Sequence, residues 1–167
     1  RAMLEVHRRV RARAPGARLH VLTGQPEVMT ALLEPDDAPS VTVRRVPNEE
    51  VGRIVAAADL GLALRAPAFS QAAVAPIKLG EDLLAGTPVL STLGVGDVDR
   101  QLEAPLASVA VADLGDDALD AAVGSFLTEI LPRRDEARQA SRALGLAHFG
   151  MDACARAYLD VLQPRRG

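Results

Sequence analysis

Between residues 65 and 81 the sequence places Arg65, Ser70, Lys78 and Glu81 among small and apolar side chains. Arg65 ends the apolar run Leu60–Leu64, and a guanidinium at the end of a buried strand is a natural phosphate partner. The plain alternative is an arginine that leaves the core where the strand stops. The stretch from Ala66 to Ala75 is built of small residues around Ser70 and delivers the chain to a helix opening at Pro76. Unpaired N–H groups and the helix dipole make such an end attractive to anions, and small residues let a phosphate approach the backbone. Many loops are small and polar, so that pattern alone is weak.

Lys78 adds information, because a cation in the first turn opposes the helix dipole and an anionic ligand would reverse the sign. Its ordinary alternative is an i, i+4 pair with Asp82. Glu81 lies four after Ile77 and three before Leu84, on a stripe expected to face the sheet. A partly buried carboxylate needs hydrogen-bond donors, and a vicinal diol, such as a ribose, offers two. Otherwise Glu81 is a solvated glutamate at the margin of the stripe. Gly80 beside it either permits close backbone approach or is merely a poor helix former.

These residues must be held by a scaffold, and the hydrophobic pattern supplies one. Residues 2–14 read as an amphipathic helix ended by Pro15-Gly16. Arg18–Thr23 is a strand closed by Gly24, residues 26–34 a helix, and Val41–Val46 a second strand. Asn48 is placed to cap a helix whose Val51, Ile54, Val55 and Ala58 share one face. Leu60–Leu64 is so uniformly apolar that a strand buried on both faces is expected. Pro76–Ala85 is a helix with Gly86 as its terminator. Pro88–Thr92 and Leu106–Ala112 are the fourth and fifth strands. Between them Gly94-Val95-Gly96-Asp97 is a turn, with Asp97 placed to cap a short helix.

Everything after Asp113 reads as helical. One stripe runs from Leu119 through Ala122, Val123, Phe126 and Leu127 to Ile130. A second comprises Met151, Cys154, Ala155, Tyr158, Leu159 and Leu162. Strand–helix alternation with short links means right-handed crossovers and a parallel sheet, a Rossmann-like α/β fold in a single domain over residues 1–167. Ligands of such sheets bind beyond the strand carboxyl ends. The loops at 23–25, 46–49, 65–76, 92–97 and 112–116 are then the ones that matter.

The bulk composition excludes several functions. Aromatic residues are only 2% of 167, so the core rests on Ala, Val and Leu, and stacking platforms for single-stranded nucleic acid are lacking. A net charge of −3 gives no overall attraction to nucleic acid or anionic membrane. The cluster Arg8, Arg9, Arg11 and Arg13 lies on the polar side of its helix and is expected to be a solvated face. The one cysteine, Cys154, permits neither an internal disulfide nor a cysteine-based zinc site. It is expected to be a small core residue. No apolar run approaches the roughly 20 residues of a membrane span, and no signal peptide is visible. The chain starts with Arg1 inside what already reads as a helix, so a piece of a longer or processed polypeptide is expected. His7 and His20 read as structural and His148 as solvated. No serine–histidine–aspartate order, metal-ligand spacing or Walker-type loop is present.

The run Pro76-Ile77-Lys78-Leu79-Gly80-Glu81-Asp82-Leu83-Leu84-Ala85-Gly86-Thr87-Pro88-Val89-Leu90 resembles the donor-binding helix and following strand of GT-B glycosyltransferases of the retaining, group 1 type. Val46-Pro47-Asn48-Glu49-Glu50-Val51, continuing to Ala57-Ala58-Asp59-Leu60-Gly61-Leu62, is similar to the same family's preceding segment, and Gly94-Val95-Gly96-Asp97 fits as well. The resemblance covers about residues 17–103. It implies the C-terminal, donor-binding half of a two-domain enzyme, a Rossmann-like sheet with a helical C-terminal segment. It implies that Glu81 binds the ribose hydroxyls and that Val46 with its backbone contacts the base. Ser70 and the amides before Pro76 would face the diphosphate or sugar, Lys78 and Arg65 would hold negative charge, and Gly24 and Gly94 would line the donor site. One departure stands out. Many relatives carry a second acidic residue eight positions before the ribose-binding glutamate, where this sequence has Ala73. The phosphate-binding Arg/Lys pair of such enzymes belongs to a segment this sequence does not contain, as does the acceptor-binding half.

The full protein is then expected to transfer a sugar from a nucleotide diphosphate to an acceptor such as a glycan or lipid, as in polysaccharide biosynthesis. The expected compartment is the cytoplasm. No metal or cofactor is expected; the nucleotide sugar is the substrate. Catalysis in this class rests on positioning the donor and stabilising the leaving diphosphate. The expected partners are the nucleotide sugar and the N-terminal acceptor domain, through which alone a membrane would be met. By itself the chain is expected to bind nucleotide weakly and catalyse nothing. Two alternatives remain. A sugar-nucleotide epimerase of the same architecture would need carboxylates and a histidine in the crevice. A non-catalytic flavodoxin-like interaction domain, such as a receiver, would need acidic residues after the first strand, which instead ends in Thr23-Gly24.

Overall fold

The computed structural model describes residues 1–162, except Pro67, Ala75, Pro76, Val98, Arg100, Gln101 and Glu103, and for Ala72 the backbone only. Helix α1 (Ala2–Arg13) leads to strand β1 (Leu19–Leu22), the short helix α2 (Pro26–Thr30) and strand β2 (Val41–Arg44). Helix α3 (Asn48–Ala57) leads to β3 (Gly61–Ala63). A 3-10 turn (Phe69–Ala73) precedes α4 (Ile77–Leu84), β4 (Val89–Thr92) and β5 (Ser108–Val111). The remainder is helical: α5 (Asp116–Ser125), a π turn and a 3-10 turn over 126–133, α6 (Arg134–Phe149) and α7 (Met151–Leu162).

All strand pairings are parallel, as the alternation requires, but they form two sheets. β1 pairs with β2, Leu19 opposite Val41, and β3–β4–β5 form a second sheet with Leu90 between Leu62 and Val109. α1 bridges them. Its Leu4 packs with Val21 and Val41 of the first sheet, and its Val6 with Leu90 and Val111 of the second and with Leu119 and Val123 of α5. The stripe predicted on α5 is therefore core, continued by Phe126 and Ile130. α4 packs between β4 and α6, burying Leu79 and Leu83. It ends as expected at Gly86, whose φ of 78° suits glycine. Gly86 N–H and Thr87 N–H close on the carbonyls of Leu83 and Asp82.

Several expectations are corrected. β4 is buried throughout, yet Gly61, Leu62 and Ala63 are each only half-buried, against the expectation of a strand covered on both faces. The expected face of α3, Val51, Ile54, Val55 and Ala58, is half-buried while Gly52 and Arg53 are exposed, but Pro47 rather than Asn48 occupies its cap position. The stripe of α7 is exposed, with Tyr158 at 73% and Leu162 at 74%, and Cys154 is exposed with it instead of lying in a core. The helix predicted over 26–34 stops at Thr30. The short helix expected after Asp97 falls partly outside the described residues. The arginines of α1 are not a solvated patch. Arg8 holds the buried Asp37 through two nitrogens at 3.0 and 2.7 Å, while Arg9 reaches Asp116 and Asp120 of α5.

Candidate functional site

The loops after β3 and β4 are laced together at the carboxyl ends of their strands. Arg65 N–H donates to Thr92 Oγ1 at 3.1 Å, and the Arg65 guanidinium donates to Gln71 Oε1 at 3.1 Å. Gly96 N–H donates to the Gln71 carbonyl at 3.0 Å. Gly94, at φ 75°, directs its N–H to Asp99 Oδ1 at 2.8 Å. Four residues read from sequence as site residues thus fall on one loop cluster or beside it: Arg65, Ser70 on the 3-10 turn between Arg65 and Gln71, Gly94, and Lys78 on the turn of α4 that follows. Arg65, Ser70, Lys78 and Gly94 are all exposed.

Gln71, Thr92 and Asp99 are the residues that sequence reasoning missed. Gln71 is the one amide in a stretch of small residues, and Thr92 is the polar end of an apolar strand. Those are the signals that could have found them. Thr92 is fully buried, so its hydroxyl serves the loop and not a ligand.

α4 is turned differently from the expectation. Leu79, Gly80 and Leu83 face inward, Ile77 is 71% exposed, and Glu81 is exposed with it. The helix packs on the sheet and on α6, which presses Phe149 onto Gly80 so closely that a Cβ there would lie 2.7 Å from the ring. Packing on both turns Ile77 and Glu81 outward. Neither Lys78 nor Glu81 makes an ion pair or side-chain hydrogen bond among the described residues, so the alternative Lys78–Asp82 pair is not formed. Asp82 takes the half-buried place instead, its carboxylate against the Cα of Gly61. Burial pushes its pKa up to about 6, the neighbouring Glu81 charge adds to the rise, and Lys78 opposes it.

Gly24 and Val46 sit after the carboxyl ends of β1 and β2, tied by a hydrogen bond from the Arg45 guanidinium to the Gly24 carbonyl. The C-terminus of α3 lies at the start of β4, where Thr87 Oγ1 donates to the Val55 carbonyl and Arg138 to those of Ala56 and Ala58. A helix of 10 residues rises about 15 Å. Its N-terminus follows the carboxyl end of β2. The candidate site is an open edge. The described cavities lie at the other end of the strands, one lined by Asp59, Pro88 and Arg134, the other by Gly86, Arg138 and Arg142. No histidine joins the edge cluster: His7 is buried against Ser40 Oγ at 2.9 Å, His20 is in β1, and His148 is exposed, as expected, in the last turn of α6. No group of three or more His, Cys, Asp or Glu among the described residues is arranged to hold a metal ion. No described helix is long and apolar enough to cross a membrane.

No protein-family model matches the chain, and no curated protein matches it in sequence. Solved structures do match. AviGT4, a glycosyltransferase involved in avilamycin A biosynthesis, superposes with a TM-score of 0.60 at 22% identity, over 93% of this chain and 45% of its own. WaaG, a glycosyltransferase involved in lipopolysaccharide biosynthesis, gives 0.62 at 19% identity, over 95% and 51%. At such identities the likeness carries the fold. The chain has the Rossmann-like fold of one half of a GT-B glycosyltransferase, and it spans about half the length of these two enzymes.

Proposed function

We propose that the chain is the donor-binding half of a glycosyltransferase, holding a nucleoside-diphosphate sugar at the carboxyl edge of its strands. The observation that carries this reading is the laced edge. Arg65 is tied to Thr92 and Gln71, and Gly94 to Asp99, while Lys78 and Glu81 of the following helix stand exposed with no partner of their own among the described residues. On this reading Arg65 and Lys78 meet the diphosphate, aided by the Ser70 turn. Glu81 accepts the two ribose hydroxyls, and Gly24 and Val46 border the base. Exposure of Glu81 suits this role, because a ligand must reach it. The whole protein would pass the sugar to an acceptor held by its other half, the diphosphate leaving into the positive charge of Arg65 and Lys78. The chain alone would bind donor weakly and transfer nothing.

Calorimetric titration of the chain with nucleoside diphosphates tests the reading. Charge-assisted hydrogen bonds contribute about 1.5–3 kcal/mol, so Glu81→Gln should weaken binding by roughly 10-fold or more. A 2′,3′-dideoxy nucleotide should bind the unaltered chain poorly and the variant no worse. If Glu81→Gln leaves affinity unchanged while Lys78→Ala abolishes it, the ribose role is wrong and the edge is a generic phosphate site.

A further inference from the structure

The turn after β4 is anchored by contacts that leave one of its amides spare. Leu93 N–H donates to the Val111 carbonyl at 2.8 Å, Val95 is buried in the core with Leu79 and Leu83, and Gly96 N–H donates to the Gln71 carbonyl at 3.0 Å. Those contacts fix the path of the turn without the Gly94 N–H. That N–H is nevertheless taken by Asp99 Oδ1 at 2.8 Å, five residues on. A carboxylate oxygen on a turn amide makes the bond that a phosphate oxygen would make there. Gly94 and Asp99 are both exposed, and a Cβ built on Gly94 would meet nothing within 4 Å, so the space beside this residue is open.

Gly94 also lies next to a charge assigned to the diphosphate. Arg65 N–H bonds to Thr92 Oγ1, two residues before Gly94, and the Arg65 guanidinium rests on Gln71 Oε1 while the backbone carbonyl of the same Gln71 holds Gly96. The acceptor opposite Arg65 is a neutral amide, whereas the one opposite Gly94 is an anion. We propose that Asp99 is a built-in competitor of the diphosphate: its carboxylate holds the Gly94 amide until a phosphate oxygen displaces it. The inference rests on the reading that a nucleoside diphosphate lies along this edge, and it adds how that site is regulated. One N–H cannot donate in full to two anions, and a carboxylate left close by repels a phosphate. Asp99 therefore swings into water as the diphosphate arrives, and an exposed carboxylate loses little by the move because water replaces the bond. A lone phosphate must open the contact with one bond of its own. A nucleoside diphosphate also has Arg65, Lys78 and Glu81, so the contact favours the larger ligand.

Calorimetric titration with inorganic pyrophosphate, and with UDP, ADP, GDP and dTDP in turn, tests this at low ionic strength, where exposed charges are least screened. Asp99→Asn keeps an acceptor for Gly94 and removes the charge, and Asp99→Ala removes both. Asp97→Asn removes an equal charge from the same turn, at an exposed side chain with no hydrogen bond to Gly94 among the described residues. Both Asp99 variants should bind the tightest nucleoside diphosphate about 3- to 10-fold better than the parent, the effect of one exposed charge at contact distance. Asp97→Asn should gain less than about 2-fold, being farther from the amide. Urea midpoints should not move, because the turn is anchored without Asp99. On saturation of the parent, the Gly94 amide resonance should shift as its acceptor changes. Weaker binding by Asp99→Ala with a lower urea midpoint would make Asp99 a brace of the turn and overturn the proposal. So would unchanged affinity, a Gly94 resonance that stays in place, or an equal gain from Asp97→Asn, which would reduce the effect to net charge. Each of those results leaves the donor-site reading standing, since the parent binds. If neither the parent nor Asp99→Ala binds any of these ligands, the donor-site reading and the competitor fall together.

Discussion

A methyl group added at Gly145 asks whether the backbone contact between α4 and α6 sets the position of the candidate site. A Cβ there would lie 2.7 Å from the carbonyl carbon of Leu83 and from the nitrogen of Leu84, and 2.9 Å from the Leu83 oxygen. Carbon atoms in contact prefer about 3.5–4.0 Å, so the helices must part by roughly 1 Å. The obstructing atoms are backbone, and no rotamer change relieves them. Overpacking of this kind costs about 1–3 kcal/mol, and the upper end applies where nothing flexible yields. Against it stands a gain of about 1 kcal/mol, because alanine is the better helix former. Gly145→Ala should thus destabilise by about 2 kcal/mol net, seen as a lower urea midpoint with unchanged slope and a fall in Tm of about 4–8 °C. Gly52, in the interior of α3 with nothing within 4 Å of its would-be Cβ, supplies the opposite sign. Gly52→Ala should stabilise by up to about 1 kcal/mol. Because α4 carries Lys78 and Glu81, Gly145→Ala should also weaken nucleotide binding, and Gly52→Ala should not. A Gly145→Ala chain as stable as the parent would refute the close approach and the rotation of α4 that is explained by it.

Two further perturbations follow from buried carboxylates. Asp82, with its pKa raised to about 6, holds its proton more tightly folded than unfolded, so that contribution is complete below about 4 and lost as pH rises through 6. Asp82→Asn should flatten the fall in urea stability between pH 4 and 6 and raise stability at pH 7 by about 1–3 kcal/mol; an unchanged pH profile would contradict it. Asp37, held at about 2 chiefly by its hydrogen bonds from Arg8, behaves oppositely: its contribution is present above pH 4 and lost as pH falls towards 2. Arg8→Leu should cost about 2 kcal/mol at pH 7, less than for a fully buried pair because Arg8 is 31% exposed, with partial recovery on adding Asp37→Asn.

What the sequence disclosed depended on whether one partner or two set a residue's surroundings. Period and punctuation located all five strands, the α5 stripe and the Gly86 terminator, because each reports local geometry. The side of α4 that faces inward was misread. Ile77, Leu84 and Glu81 looked like a stripe, but Gly80 and Gly145 admit α6 at an angle that buries Leu79 and Leu83 instead. Two glycines 65 positions apart in sequence carry that information, and no window around α4 contains both. Periodicity also marks an apolar face without saying what covers it. α3, β3 and α7 were read correctly as amphipathic or apolar elements, yet α7 buries nothing, and α3 and β3 are only half-covered. The edge positions of Arg65, Ser70 and Gly94 could be expected from the strand ends, as could that of Thr92, whereas Gln71 acquires its place through loop–loop hydrogen bonds.

The arginines of α1 show how the same pattern changes meaning once topology is known. A run of four basic residues within one helix invites an anion, and the exposed reading treats them as equivalent. In the fold they divide by direction. Arg8 reaches Asp37, which itself accepts from Glu34 N–H in the loop before β2, and Arg11 donates to the Asp36 carbonyl in that loop. Next to them His7 donates to or accepts from Ser40 at the entrance to β2. Arg9 and Arg13 turn the other way, to Asp120 of α5. α1 is thereby fastened to the β1–β2 sheet by one set of charges and to α5, which covers the β3–β4–β5 sheet, by another. Exposed pairs contribute little individually, but the Arg8–Asp37 pair is bidentate with a buried partner, the geometry in which an ion pair does resist separation. With β1 and β3 unpaired to each other, α1 is the element seated in the core of both sheets. Its charges fasten it to the loop before β2 on one side and to α5 on the other.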